Sequence, residues 1–180
     1  MIRSGCAMIR KALLSMLPLA LSVLAPAQTA VFPSLKAPNL NGVQVDMPGG
    51  FGGDRNLLLI AFKRQQQKDI DTWLKPAAAL AQLHASLRYY ELPVIDKLNR
   101  MARYFIDNGM RGGIPDKQQR ARTITLYIDK APFNAALAIT SEDQIHILLI
   151  DKTGKVLWRD RGLYDNVKGK ALEDTFAPPK

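Results

Sequence analysis

Asn56-Leu-Leu-Leu-Ile-Ala-Phe62 runs straight into Lys63-Arg-Gln-Gln-Gln-Lys68 and then Asp69-Ile-Asp-Thr-Trp-Leu74, and this run sets the architecture. The six consecutive apolar residues Leu57 to Phe62 predict a strand covered on both faces, as in a sheet with helices on either side. A polar loop of six residues follows, then a helix whose first turn carries acidic side chains, where they suit the helix dipole. The junction between a central strand and a helix N-terminus is where α/β proteins place reactive groups. Main-chain N–H groups there stabilise anions such as a thiolate. Here the junction holds three glutamines and no nucleophile.

The helix is expected from Asp69 to about His84, with Ile70, Trp73, Leu74, Ala77, Leu80 and Ala81 on one face and Leu83 extending it. Pro76 should kink it or start it anew. Upstream, Phe32–Leu35 and Leu40–Val45 read as short strands around an Asn-Gly turn, and Pro48–Gly53 as a flexible loop. Downstream, Leu87–Ile95 is a strand that Pro93 should end. A second helix is expected over Lys97–Met110, with Leu98, Met101, Phe105 and Ile106 as its core stripe and Gly109 at its C-terminus. Arg111–Arg122 is a basic, polar connection; Thr123–Asp129 alternates as a strand; Pro132–Ile139 is a short helix. Gln144–Ile150 and Lys155–Arg159 flank Asp151-Lys-Thr-Gly154, a hairpin turn whose glycine supplies positive φ. A last helix, capped by Asp165 or Asn166, ends near Phe176, and 177–180 form a frayed tail. Alternating strands and helices closed by an antiparallel hairpin predict a three-layer α/β/α sandwich, one domain over residues 31–176.

Residues 1–27 read as a secretory signal peptide. Arg3, Arg10 and Lys11 precede the apolar run Ala12–Leu24, and Ala25-Pro-Ala27 has the small-x-small form of a cleavage site, so cleavage is expected after Ala27 or Ala30. The apolar run is short for a bilayer span of about twenty residues. Removing the leader takes three cations with it, so the net charge falls from +9 to +6, and the mature protein is expected in a bacterial periplasm. The single cysteine, Cys6, lies in the leader, which leaves no thiol for a disulfide or for redox work.

Phe32-Pro-Ser-Leu-Lys-Ala-Pro-Asn-Leu-Asn-Gly-Val-Gln-Val45 resembles the N-terminal hairpin of peroxiredoxins and periplasmic thioredoxin-like proteins. Ile147-Leu-Leu-Ile-Asp-Lys-Thr-Gly-Lys-Val-Leu-Trp-Arg-Asp-Arg-Gly162 is similar to their terminal hairpin, and Ala131–Ile139 to the short helix before it. The resemblance implies a thioredoxin-like fold with an N-terminal β-hairpin and a C-terminal β-hairpin plus helix. A narrower similarity, carried by Met110–Arg122 and Trp158, is to thioredoxin-like assembly factors of the mitochondrial ATP synthase. The family's catalysis needs a cysteine at the strand-to-helix junction, which Lys63–Lys68 does not supply, and its cis-proline position falls at Ile145 or His146.

Other chemistries find little support. His84 and His146 are too few for a zinc or copper site, and no Gly-x-Ser-x-Gly elbow, Walker loop or dinucleotide fingerprint occurs. Neither a metal nor a cofactor is expected, and no stacking motif points to nucleic acid. The candidate binding residues are Arg64, Gln65, Gln66, Gln67 and Lys68 at the junction, Arg111, Arg120 and Arg122 in the connection, and His146. Together they would form a cationic rim for a protein partner in the cell envelope, with a weak contact to an anionic membrane surface as a further option. The expected function is a non-catalytic binding or assembly module. The alternatives are an enzyme of non-thiol chemistry around Gln65–Gln67, Asp69, Arg122 and His146, and a small-ligand carrier at the same edge.

Overall fold

The computed structural model describes residues 30–177, so the expected leader and the last three residues of the tail lie outside it. Strand β3 (Arg55–Ala61) is buried from Asn56 onward and sits at the centre of a five-stranded sheet. Its parallel neighbour is β4 (Leu87–Asp96), followed outward by β5 (Leu126–Ile128). On the other side β6 (His146–Asp151) pairs antiparallel with β3, and β7 (Val156–Arg161) closes that edge. The residues of β3 alternate between two cores. Leu58 and Ile60 pack with Phe32, Phe51, Leu92 and Phe133, while Leu57 and Leu59 pack with Ile70, Trp73 and Leu172. Helices therefore flank the sheet on both faces.

Helix α1 (Gln67–Leu83) turns Ile70, Trp73, Ala77 and Leu80 inward, and the buried Trp73 indole donates to Gly162 O at 2.9 Å. It runs unbroken through Pro76, which forfeits one helical hydrogen bond that packing of the inward face offsets. Leu83 does not extend that face; it is 72% exposed. β4 likewise continues through Pro93. Pairing to β3 ends at Ala61↔Pro93 and pairing to β5 begins at Val94↔Leu126, so the missing N–H falls where the ladder changes partner.

The N-terminal hairpin forms as a separate two-stranded sheet, β1 (Leu35–Pro38) with β2 (Gln44–Met47), a few residues later than the sequence suggested. Asn39 explains the shift. Its Oδ1 accepts from Asn41 N and Val43 N, each at 3.0 Å, and so widens the turn around Gly42, which has φ +84°. In the terminal hairpin, Asp151 Oδ1 accepts from Thr153 N and Lys155 N, and Gly154 has φ +89°.

Helix α2 (Arg100–Gly113), capped by Asn99, lies later than expected and runs past Gly109. None of its residues is buried, and Met101 and Phe105 of the expected core stripe are 71% and 67% exposed. The basic connection is also helical in part: Asp116 caps α3 (Lys117–Arg122) by accepting from Gln118 N and Gln119 N. β5 is shorter than expected because Thr123 and Ile124 make bridges to Glu91 and Asn39 instead. Asp129 starts α4 (Lys130–Ala136), and Asp165 starts α5 (Asn166–Asp174) by accepting from Lys168 N at 2.8 Å.

Candidate functional site

Past the end of β3 the chain stays extended through Lys63 and then coils into a tight turn, Arg64–Gln66, that feeds α1 directly. The expected six-residue loop is thus helical from its second residue onward. Gln66 is buried beneath this turn at 4% exposure. Its Oε1 accepts from Phe62 N at 2.8 Å and Lys63 N at 3.2 Å, and its Nε2 donates to Glu142 O at 2.7 Å. The side-chain amide therefore occupies main-chain donors that an anion at this junction would otherwise use. Arg64, Gln65, Gln67 and Lys68 remain exposed around it.

The segment Ser141–Gln144, just before β6, closes over the junction. Lys63 Nζ pairs with Asp143 at 2.8 Å. Glu142 accepts from Lys130 Nζ at 2.7 Å and from Asn134 Nδ2 at 2.8 Å, and Lys130 also reaches Asp96 at 3.3 Å. Burial pushes Glu142 up, but the hydrogen bonds from Lys130 and Asn134 pull it net below its ordinary value, and Glu142 holds Lys130 above its own. His146 stands edge-on to Phe62, with centroids 6.0 Å apart, and its Nε2 lies 2.8 Å from Ser141 O. A carbonyl can only accept, so that nitrogen carries the proton. Burial lowers the imidazole pKa, and Arg159 and Arg161 push the same way against the hydrogen bond to Ser141 O.

Arg122 belongs to a second cluster. Its guanidinium lies 4.6 Å from the Tyr89 ring, beside Glu91, a carboxylate 3% exposed within β4. Glu91 accepts from Gln67 Nε2 and Gln119 Nε2, each at 3.3 Å. Burial raises its pKa, and these hydrogen bonds only partly oppose that. Gln67 and Gln119, far apart in sequence, thus meet on Glu91, with the Arg122 charge near enough to act on it. Sequence reading passed over Glu91, although a lone acid inside the apolar strand Leu87–Ile95 is a usable signal. Arg120 reaches Pro115 O at 3.5 Å, and Arg111 Nε turns to the hairpin, donating to Leu40 O at 2.7 Å.

The candidates therefore divide: Gln66 and His146 around Ser141–Asp143, Gln67 and Arg122 around Glu91, and Arg111 elsewhere. A shallow cavity of about 230 Å³ beside His146 is lined by Ser141, Asp143, Gln144 and Arg161, and neither Asp69 nor Arg122 reaches it. Ser141 Oγ donates to Asp143 at 3.0 Å while His146 bonds the Ser141 carbonyl, so no nucleophile–base pair is formed. Among the described residues no three His, Cys, Asp or Glu side chains gather as a metal site.

No family model matches this chain, and no curated protein matches it. Solved structures do. The thioredoxin domain of a thiol-disulfide oxidoreductase from Bacteroides vulgatus is 18% identical with a TM-score of 0.56, the match covering 83% of this chain and 98% of that one. A thiol:disulfide interchange protein from Bacteroides sp. is also 18% identical, with a TM-score of 0.53 over 82% and 89% of the two chains. The exposed lipoprotein thioredoxin of Streptococcus pneumoniae is 14% identical, with a TM-score of 0.51 over 79% and 97%. At these identities the likeness is one of fold, and the fold is thioredoxin-like.

Proposed function

We propose that this chain is a non-catalytic thioredoxin-like module of the cell envelope that binds another protein and assists its assembly or maturation, without thiol redox activity. The observation that carries this reading is the plugged junction. Gln66 takes up the main-chain donors of Phe62 and Lys63, and residues 31–180 contain no cysteine to use them. What the junction offers outward is a polar, cationic rim of Arg64, Gln65 and Lys68, suited to an acidic segment of a partner. The N-terminal sequence supports export to a periplasm. No helix among the described residues is long and apolar enough to cross a membrane.

A photo-crosslinking residue at position 65 of the full chain, expressed in a host with a periplasm, tests the partner. A discrete adduct is expected that Arg64→Glu/Lys68→Glu weakens by about tenfold, each reversed charge acting across an exposed contact. Adducts indifferent to the charge reversal would overturn the rim assignment. The non-catalytic half is read separately: insulin reduction and peroxide turnover by the full chain and by Cys6→Ser should both stay at background.

A further inference from the structure

Helix α2 wears its polarity inside out. Met101, Tyr104 and Phe105 are 71%, 62% and 67% exposed, and the rings of Tyr104 and Phe105 pack edge to face at 5.9 Å. Helical spacing continues the same outward stripe through Gly109 and Gly112, also exposed, with no charged side chain on it. The polar groups hold the helix to the protein instead. Asp107 Oδ1 accepts from Tyr127 Oη at 2.8 Å, Arg103 lies 5.1 Å from the Tyr127 ring, and Arg111 Nε donates to Leu40 O. An exposed apolar helix face fastened by polar contacts is a surface made to be covered.

Charge selects what covers it. The segment Lys97–Arg122 as a whole carries seven Lys or Arg and two Asp, a net +5, which disfavours a second copy beside it and favours an anionic surface. Lys97 and Arg100 are exposed at the start of the stripe, and Lys117 is exposed at the start of α3. α2 stands beside β5, an edge strand of the sheet, through the contacts of Asp107 and Arg103 with Tyr127. A convex helix with an aromatic and methionine face flanked by cations matches a flat, deformable, anionic surface better than a shaped protein pocket.

We propose that α2 docks this protein on an anionic lipid bilayer. Met101, Tyr104 and Phe105 enter the boundary between headgroups and acyl chains, and Lys97, Arg100 and Lys117 engage lipid phosphates. This surface is separate from the Arg64–Lys68 rim and does not depend on the partner assigned to it.

The test uses full-chain protein carrying Tyr104→Trp, with the emission of the unsubstituted chain (Trp73 and Trp158) subtracted. Vesicles of phosphatidylglycerol and phosphatidylcholine in equal parts should shift the new indole to the blue, and acyl-chain-brominated lipid should quench it. Binding should fall on the order of tenfold or more on pure phosphatidylcholine, as three cations lose their lipid partners. Adding Phe105→Asp should abolish the shift while circular dichroism stays unchanged. An indole that stays unshifted on anionic vesicles overturns the proposal, even if the chain binds them through its N-terminal segment. A blue shift that grows with protein concentration and needs no lipid overturns it in favour of self-association.

Discussion

Both ends of the Gln66 amide are committed to the main chain, which makes this residue a test of how the junction holds without a cysteine. Gln66→Ala removes the partners of the N–H groups of Phe62 and Lys63 and of the Glu142 carbonyl, the first in a buried setting and the other two part-buried. Unsatisfied buried groups cost 1–3 kcal/mol each, and partial hydration reduces the sum, so a loss of about 2–3 kcal/mol is expected in urea unfolding. Gln66→Glu keeps the acceptor but cannot donate to Glu142 when ionised, so its deficit should grow as pH rises. A loss below about 0.5 kcal/mol for the alanine variant would show that the amide is dispensable. Glu91 makes the complementary case. Burial raises its folded-state pKa above the ordinary 4.5. Between that value and the raised one, the unfolded chain has released a proton that the folded chain keeps, so the folded state loses stability as pH rises through this window. Below it the full stability is present. Glu91→Gln should flatten this slope and be the more stable variant at neutral pH. Unfolding midpoints measured from acid to neutral pH check this, and parallel profiles for the two proteins would refute it.

At the scale of elements, legibility followed whether the information was local. β3 could be read because an apolar run without periodicity has few uses other than a doubly covered strand. The terminal hairpin could be read because Asp151 and Gly154 fix its turn within four residues. Pro76 misled as a boundary because packing of the inward face offsets its lost helical hydrogen bond, and Pro93 because its missing N–H falls where the ladder changes partner. α2 misled in a more instructive way. Its periodicity grouped Met101 and Phe105 on one apolar face but also took in Leu98, which precedes the helix, and the half-buried Ile106, and periodicity cannot say which side of a helix the rest of the chain will cover. That was decided by Tyr127 and by Leu40, residues remote in sequence that hold the polar side. The candidate site divides on the same principle. Gln66 and His146 come together only because Ser141–Asp143 folds over the junction, and Gln67 comes near Arg122 only through Glu91, which it shares with Gln119. Neither juxtaposition has a signature in spacing.

Topology then fixes how the two proposed surfaces stand in the whole molecule. β3 and β4 run parallel with Ala61 opposite Pro93, so the Arg64–Lys68 rim and the start of α2 leave the sheet at the same end. The opposite end carries the Asp151–Gly154 turn, since Arg55 pairs with Asp151, and it also receives the chain from Val31, which bridges to Lys155. The seven residues of β3 separate these ends by about 20 Å at 3.3 Å per residue. Docked by the first turns of α2, where Met101, Tyr104 and Phe105 lie, the molecule would hold its rim nearer the lipid than its terminal turn. Gln65 and Lys152 are both exposed and report the two ends. In a Cys6→Ser background, fluorophores on Gln65→Cys and Lys152→Cys should behave differently on anionic vesicles bearing a headgroup quencher. The probe at position 65 should be strongly quenched and the probe at 152 little changed. Phe105→Asp should remove the difference. The reverse pattern would mean that the end receiving Val31 faces the bilayer, as an N-terminal attachment would dictate, and would overturn this orientation.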